Sequence, residues 1–166
     1  MSDGEKLIIL MLSELHGKLG LEGEVEPHFL KSAILSYQLW GIRWKYGDIL
    51  FDDAEDPAVV KEVAGILEMW RFIERSYALF GDEQKAQLER DAEPFGKDPE
   101  FRGFDGNNEP QYAGTAVFLV NELGKFAELK GRSFNCHRPS IDTHRRMLEV
   151  FEPMRGRLSS KLLSVG

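Results

Sequence analysis

The stretch AVVKEVAGILEMWRFIERSYA, residues 58–78, decides the fold class. At about 100° per residue, its apolar side chains fall on one broad stripe of an α-helix. Pro57 stands just before the stretch, where a first helical turn accepts proline, and Gly81 stands just after it, where a helix ends. The pattern therefore predicts a long helix from Pro57 to near Gly81, with a stripe made of Val59, Val60, Val63, Ile66, Leu67, Trp70, Ile73 and Tyr77.

The residues before this helix predict two more. Ser2 and Glu5 have the spacing of a capping box in front of a first helix over residues 5–19, which a glycine closes. Pro27 follows a glycine-rich link and begins a second helix that runs towards Gly47.

The residues after the long helix continue the helical pattern, and no convincing strand alternation interrupts it. We therefore predict an all-α fold, a single domain over residues 1–166 built as a bundle of about six or seven helices with one long irregular connection. The later elements are a short helix after Asp82, the irregular connection over residues 93–108, a fifth helix from Asn108 or Glu109 to Lys130, a sixth from Ser140 to just before Pro153, and a final turn or two after Ser159.

Composition narrows the class of protein. The chain has 166 residues, of which 42% are hydrophobic and 30% charged, as in ordinary globular proteins. Cys136 is the single cysteine, so no disulfide can form within the chain. The apolar run from Leu7 to Leu12 is too short for a signal peptide or a membrane span. We expect a cytoplasmic protein with no membrane association.

Two of the predicted helices are apolar on both sides. A helix with two apolar faces is either central in a multilayer bundle or in contact with another subunit. A domain of this size has little room for two central helices, so we expect a homo-oligomer. The residues on the second faces are Gly65, Phe72 and Leu79 in the third helix and Gly114, Phe118 and Asn121 in the fifth.

Charge argues against nucleic acid as a partner, because 28 acidic residues outnumber 21 basic ones and the net charge is −7. The distribution is uneven, with 13 basic and 25 acidic residues up to Leu129 and 8 basic and 3 acidic residues from Lys130 onwards. The favoured interpretation is that the basic part docks on the acidic body of its own or a sister chain. The alternative is an anion or nucleic-acid patch of Arg132, Arg138, Arg145, Arg146, Arg155 and Arg157.

The standard motifs for phosphate loops, dinucleotide binding, nucleophile elbows and zinc sites are absent, and the sequence predicts no cofactor and no metal. Asp105, Asn107 and Glu109 alternate like the first ligands of a calcium loop, but Pro110 and Ala116 stand where that loop needs glycine and glutamate. The preferred interpretation is a polar turn in which Asp105 or Asn108 accepts hydrogen bonds from free N–H groups at the start of the fifth helix.

A few other polar residues have both a structural and a chemical interpretation. Cys136 and His144, with His137 and Asp142, could form a thiol nucleophile and base or a metal site, although a histidine packed at the core edge is favoured. Glu74 lies in an apolar stripe and could be an acid or base, although pairing with Arg71, Arg75 or a C-terminal arginine is favoured. Asn121 is a candidate buried amide that fixes helix or subunit register.

The stretches FRGFD at 101–105, FLVN at 118–121 and RMLEVF at 146–151 make the second half of the chain resemble the bacterial YfbU family. The resemblance implies an all-helical cytoplasmic protein without an established activity. It also implies that a site, if one exists, lies at the matching polar positions Asp105, Glu109, Asn121, Asn135 and Arg146. The residues that carry it are FRGFD at 101–105, Glu109, Tyr112, Gly114, FLVN at 118–121, GKF at 124–126, Phe134, Asn135, Pro139 and RMLEVF at 146–151, with a looser match at 33–48 and 68–70.

These observations leave two hypotheses of different kinds, and whether the protein is an enzyme stays open. The favoured one is a self-associating interaction or scaffold protein that can also bind another protein. The alternative is a small-molecule-binding protein or metal-independent enzyme, in which Arg146 binds an anion and a carboxylate near Asp105 and Glu109 acts as base.

Overall fold

The computed structural model describes residues 1–47, 56–93 and 95–162, with side chains up to Arg155. Over these residues the fold is all-α, as predicted, and its one β-type pairing is an isolated bridge between Phe104 and Asn135. The helices are α1 (Asp3–Leu19), α2 (Pro27–Leu35), α3 (Trp40–Tyr46), α4 (Ala58–Ala78), α5 (Asp82–Asp91), α6 (Pro110–Val117) and α7 (Ile141–Leu162), with a π-helical turn at Phe118–Glu122 and a 3₁₀ turn at Ala127–Leu129.

Helix α4 forms the centre of the core. Its side chains Val60, Val63, Ile66 and Leu67 are completely buried. Helices α6 and α7 both pack against α4, and the residues of the π-helical turn extend the same core. The long helix that the apolar stripe of residues 58–78 predicts is therefore present, and the structure places it at the centre of the core.

Both ends of α1 follow the predicted chemistry. The Oγ of Ser2 accepts a hydrogen bond from the backbone N–H of Glu5, and the Glu5 carboxylate accepts one from the backbone N–H of Ser2. Gly20 closes the helix in the left-handed conformation at φ 62°. The capping box is confirmed.

The predicted helix over residues 27–47 is wrong in one respect, because it is two helices. Ser36 uses its Oγ to donate to the carbonyl of Ser32, and Tyr37 adopts a left-handed backbone at φ 58°. A left-handed residue cannot continue a right-handed helix, so α2 ends and α3 starts afresh at Trp40. Residues 48–55 lie outside the described part of the chain.

The predicted fifth helix ends earlier than expected. After α6 the backbone widens into the π-helical turn, in which the N–H of Leu123 donates to the carbonyl of Phe118, five residues back. Gly124 and Phe126 then take left-handed conformations at φ 63° and 50°. The helical register predicted up to Lys130 is therefore lost.

The predicted sixth helix is longer than expected, because α7 continues through Pro153 to Leu162. A proline removes one backbone hydrogen bond and kinks a helix, but packing on both sides of it can hold the helix together. The predicted final turns after Ser159 belong to α7 up to Leu162, and the side chains beyond Arg155 are outside the described part.

The second apolar faces of α4 and of the α6 segment are covered inside the chain only in part. Phe72 packs on Phe151 of α7 with ring centroids 5.6 Å apart, and a Cβ added at Gly65 would lie 3.5 Å from Leu148. Phe118 packs on Trp40 with centroids 5.6 Å apart, and its ring occupies the space where Gly41 lacks a side chain. The other three positions of these faces, Leu79, Gly114 and Asn121, are exposed. The two phenylalanines therefore find partners within the chain, while half of the positions stay at the surface.

Helix α1 has the opposite arrangement. It contains no buried residue and packs on α2 through one side, where Ile9 and Leu10 are half-buried. Its other side exposes Leu7, Ile8, Met11, Leu12, Leu15 and Leu19, which we call the α1 outer face.

Candidate functional site

Glu109 is the centre of a polar cluster that joins three segments of the chain. Its Oε1 accepts hydrogen bonds from the backbone N–H groups of Ser140 at 2.8 Å and Ile141 at 2.9 Å. Its Oε2 accepts from the N–H of Asp105 at 2.9 Å and from the Oγ of Ser140 at 3.0 Å. Burial acts to raise the pKa of Glu109, but these donors together lower it below its usual value. The carboxylate is therefore charged and fully hydrogen-bonded at the N-terminus of α7.

The side chain that caps α7 is not that of Ser140, the residue directly before the helix. The Oγ of Ser140 does not accept from the first backbone N–H groups of the helix; it lies 3.2 Å from the carbonyl of Gly103 and 3.0 Å from Glu109. Glu109 supplies the acceptor instead, from 31 residues away. A long-range cap of this kind leaves no signal in the local sequence.

Asp105 shapes the turn before α6. Its Oδ2 accepts from Asn108 Nδ2 at 2.6 Å, and its Oδ1 accepts from the N–H groups of Asn107 and Asn108 at 3.0 and 3.4 Å. The Asn108 side chain, followed by the Asn107 N–H, lowers the pKa of Asp105. This is the polar turn that the sequence predicts.

Asn135 fastens the loop of Asp105 to the loop before α7. Its Oδ1 accepts from the N–H groups of Gly106 and His137, both at 3.0 Å. The N–H of Phe104 donates to the carbonyl of Phe134 at 3.0 Å, and the N–H of Cys136 donates to the carbonyl of Phe104 at 2.9 Å. These bonds hold the two loops side by side.

Three of the five predicted site positions, Asp105, Glu109 and Asn135, thus lie in this region, and two do not join them. Asn121 is exposed on the π-helical turn, so it is not the buried amide that the sequence suggests. Arg146 is exposed and bonds only within α7, to the carbonyl of Asp142 and to Thr143 Oγ1. The five side chains do not surround one cavity, because the carboxylates point into the turns that they stabilise.

His144 is buried against aromatic rings and is separate from the thiol. Trp70 Nε1 donates to its Nδ1 at 3.2 Å, and its Nε2 lies 3.2 Å from the carbonyl of Gly103, which makes Nε2 the protonated nitrogen. Burial lowers the pKa of His144. The Sγ of Cys136 instead donates to the carbonyl of Arg138 at 3.1 Å. Within the described ranges, no group of three or more His, Cys, Asp or Glu residues is arranged to hold a metal ion.

Glu74 is paired with an arginine from the C-terminal part of the chain. Its two oxygens accept from Nη1 and Nη2 of Arg132 at 2.9 and 2.8 Å, and Oε1 also accepts from the N–H of Phe101 at 2.8 Å. The carboxylate raises the pKa of Arg132. Of the alternatives for Glu74, pairing with a C-terminal arginine is the one observed.

Among the described residues, two other C-terminal arginines show the same docking, whereas Arg138 and Arg146 do not. Arg145 forms a fork with Glu62 of α4, and Arg155 pairs with Glu68 of the same helix. The basic part of the chain therefore lies on the acidic body of its own chain. The side chain of Arg157 is outside the described part.

A cleft of about 550 Å³ opens beside this cluster, between the loops at residues 100–102 and 132–138. Sequence reasoning missed it: Arg102 lies in the FRGFD stretch that carries the family resemblance, but it is not among the candidate site residues inferred from the sequence. Its polar lining consists of Glu100, Arg102, Arg132, Ser133, Asn135 and Arg138, with Cys136 among them.

The fold and the geometry of the polar cluster together define a class of protein. The chain is an all-helical protein whose buried carboxylates stabilise its structure. The sequence model of the YfbU domain matches residues 40–163, and the chain belongs to the YfbU family. It is 39% identical over 57 residues to the UPF0304 protein MJECS11 of Methanocaldococcus jannaschii, a match that covers 31% of this chain and 34% of that relative. No solved structure matches the chain. No helix in the described part of the chain has the length and apolar character that crossing a bilayer requires.

Proposed function

We propose that the protein acts by binding, as an interaction or scaffold protein, and that its first partner is a second copy of itself docked on the α1 outer face. The observation that carries this proposal is that α1, 17 residues long, has no buried residue and exposes its six outer apolar side chains by 52–64%. Soluble monomers rarely expose apolar patches above a few hundred Å².

The spacing of these side chains suits pairing with a like helix. Ile8, Leu12, Leu15 and Leu19 recur at intervals of four, three and four residues. Such a seam allows the side chains of two helices to interdigitate as knobs into holes. Because the same seam is present on every copy, a second copy of this chain meets the requirement without any further partner.

The available area is sufficient for a dimer. From their exposed fractions, the six side chains present roughly 500–600 Å² of apolar surface. Two copies would bury roughly 1,000–1,200 Å² together, which reaches the lower bound of about 1,000 Å² for a specific interface.

Catalysis by the carboxylates near Asp105 is not part of this proposal. Glu109 and Asp105 accept hydrogen bonds from their own chain at every carboxylate oxygen. A general base needs a lone pair that faces the substrate. Arg146, the predicted anion-binding partner, bonds only within its own helix.

The test is the mass in solution, measured by size-exclusion chromatography with light scattering over about 1–100 μM, a range that brackets micromolar affinity. We expect wild type to reach twice the chain mass of 18.9 kDa. Leu15→Glu places a charge in the seam and should stay monomeric.

The matched control is Leu79→Glu, the same change at an exposed leucine of the central helix, and it should dimerise like wild type. Circular dichroism confirms that each variant folds. A wild-type protein that stays monomeric throughout this range, or a Leu15→Glu variant that still dimerises, contradicts the proposal.

A further inference from the structure

We propose that the cleft between residues 100–102 and 132–138 is a binding site for a small phosphorylated molecule, held by its phosphoryl group. The site lies on a different part of the surface from α1, and this proposal is independent of self-association.

The cleft offers guanidinium groups that no carboxylate among the described residues neutralises. Arg102 and Arg138 are exposed, line the cleft, and have no hydrogen-bonded or ion-paired partner within the described part of the chain. Arg145 and Arg155, in contrast, pair with carboxylates of α4. Two unpaired arginines in one concave site stand out in a protein with a net charge of −7, because a surface rich in acidic residues gives most arginines a partner.

The neutral polar side chains of the cleft also have N–H and O–H groups that are available to donate hydrogen bonds to a ligand. Asn135 uses its Oδ1 to accept from Gly106 and His137, so the Nδ2 amide has two N–H donors without a described partner. Ser133 Oγ accepts from the N–H of Asn135, which leaves its own O–H to donate. A site whose unused groups are donors is complementary to an anion with several acceptor oxygens, and guanidinium forks match phosphate geometry.

The walls are held in place before any ligand arrives. Arg132 is anchored by its two bonds to Glu74, and the bridge between Phe104 and Asn135 joins the two loops. His137 takes a left-handed backbone at φ 55°, and the residues on either side of it, Cys136 and Arg138, both line the cleft. Histidine is one of the non-glycine residues that adopt this conformation more readily, and here it fixes the turn between the two lining residues.

Size and charge define the ligand class. A volume of about 550 Å³ is in the range of small-molecule sites and exceeds the needs of a bare phosphate ion. Glu100 is the one carboxylate of the lining, and it lies 3.9 Å from Arg132 with 59% of its side chain exposed. Because Glu74 neutralises Arg132, the attraction for the phosphoryl group comes from Arg102 and Arg138.

The test uses Cys136, the single cysteine of the chain, as a reporter inside the cleft. The rate of its alkylation by iodoacetamide is measured in the full-length protein at constant ionic strength with glucose 6-phosphate, glucose or inorganic phosphate. We expect saturable slowing with glucose 6-phosphate and none with glucose. Equal protection by inorganic phosphate would identify the free ion as sufficient and would still support the phosphoryl site.

Arg102→Gln and Arg138→Gln should each raise the half-saturating concentration by about tenfold or more, because each removes a charge-assisted contact. Arg146→Gln makes the same charge change on an exposed arginine outside the cleft and should leave it unchanged. Circular dichroism checks the fold, which neither cleft arginine supports through a described bond.

The absence of saturable slowing with either phosphate compound overturns the proposal. So does an equal loss of protection in Arg146→Gln, which would indicate general screening. Stronger protection by a single-stranded oligonucleotide than by glucose 6-phosphate would show that the cleft recognises nucleic acid, and the small-molecule proposal would then be wrong.

Discussion

Helices α1 and α4 are both long and rich in apolar residues, yet they have opposite surroundings. Helix α4 is enclosed by α6 and α7 and buries Leu67 completely, whereas α1 leaves Leu12 60% exposed. An apolar stripe shows that a helix has a face to cover, but it does not show what covers it. In α4 the cover comes from the same chain, and for α1 we propose that it comes from a second copy.

The strongest test of this comparison is a pair of leucine truncations. Leu67→Ala should lower the free energy of unfolding by about 2–5 kcal/mol, because it leaves a cavity in the core. Leu12→Ala should change it by no more than about 0.5 kcal/mol in the monomer. Urea unfolding at a protein concentration that keeps the chain monomeric measures both. Similar losses in the two variants would mean that α1 is part of the core.

We expect a smaller change in the free energy of unfolding when the carboxylate of Glu109 is replaced. Glu109→Gln should lower the free energy of unfolding by about 2–3 kcal/mol, because the new NH₂ group faces a backbone donor and leaves it unsatisfied. Glu149→Gln, the same change on the exposed side of α7, is the control and should be neutral. Thermal and urea unfolding report the difference, and a neutral Glu109→Gln would remove the structural role assigned to this carboxylate.

Burial of His144 should make the free energy of unfolding decrease in acid. Burial lowers the pKa of His144 below the unfolded value of about 6.5. The unfolded state therefore binds a proton first as the pH falls below that value, and the free energy of unfolding should decrease by up to about 1.4 kcal/mol per pH unit. Above that pH, this histidine adds no pH dependence.

Urea unfolding between pH 7.5 and 5 measures this slope. Glu109 and Asp105 contribute a separate loss at lower pH, because their pKa values lie below the usual carboxyl values. His144→Gln should flatten the slope above pH 5, and His28→Gln, at an exposed histidine, should retain it. An unchanged slope in His144→Gln would assign the acid sensitivity to another group.

The smallest effect belongs to the end of α1. Ser2→Ala removes the side-chain acceptor of the capping box, so amide hydrogens in the first turn of α1 should exchange faster. The global unfolding transition should not move, because α1 has no buried residue. Hydrogen exchange read by mass spectrometry checks this, and slower exchange or a shifted global transition would show that α1 and the core unfold together.

A second contrast, within the candidate site, explains why the proposed binding residues are Arg102 and Arg138 and not Asp105 and Glu109. The carboxylates near α7 have all their oxygens engaged, while the guanidinium groups of Arg102 and Arg138 have no partner among the residues that the structure describes. Polar groups whose hydrogen bonds are all made stabilise the structure, and polar groups without partners in a concave site are available to a ligand. Asp105 and Glu109, which the sequence suggests as site residues, therefore stabilise the loops beside the cleft.

What was predictable depends on the distance along the chain over which each interaction acts. Ser2 and Glu5 lie three residues apart, and the stripe of α4 repeats within each turn, so both could be read from residue order. The break at Tyr37 and the π-helical turn at Phe118 could not, because tertiary packing decides between backbone conformations of similar energy.

The amino-acid order by itself determined the all-α class, the long helix over residues 58–78, the cap of α1 and the attraction of a basic tail for an acidic body, since local periodicity and net charge are carried by neighbouring residues. Only the tertiary structure decided that Glu109 caps α7, that Arg132 meets Glu74 across 58 residues, and that Arg102 and Arg138 share a cleft. Contacts of this kind form when distant segments pack together, so no pattern of adjacent residues encodes them.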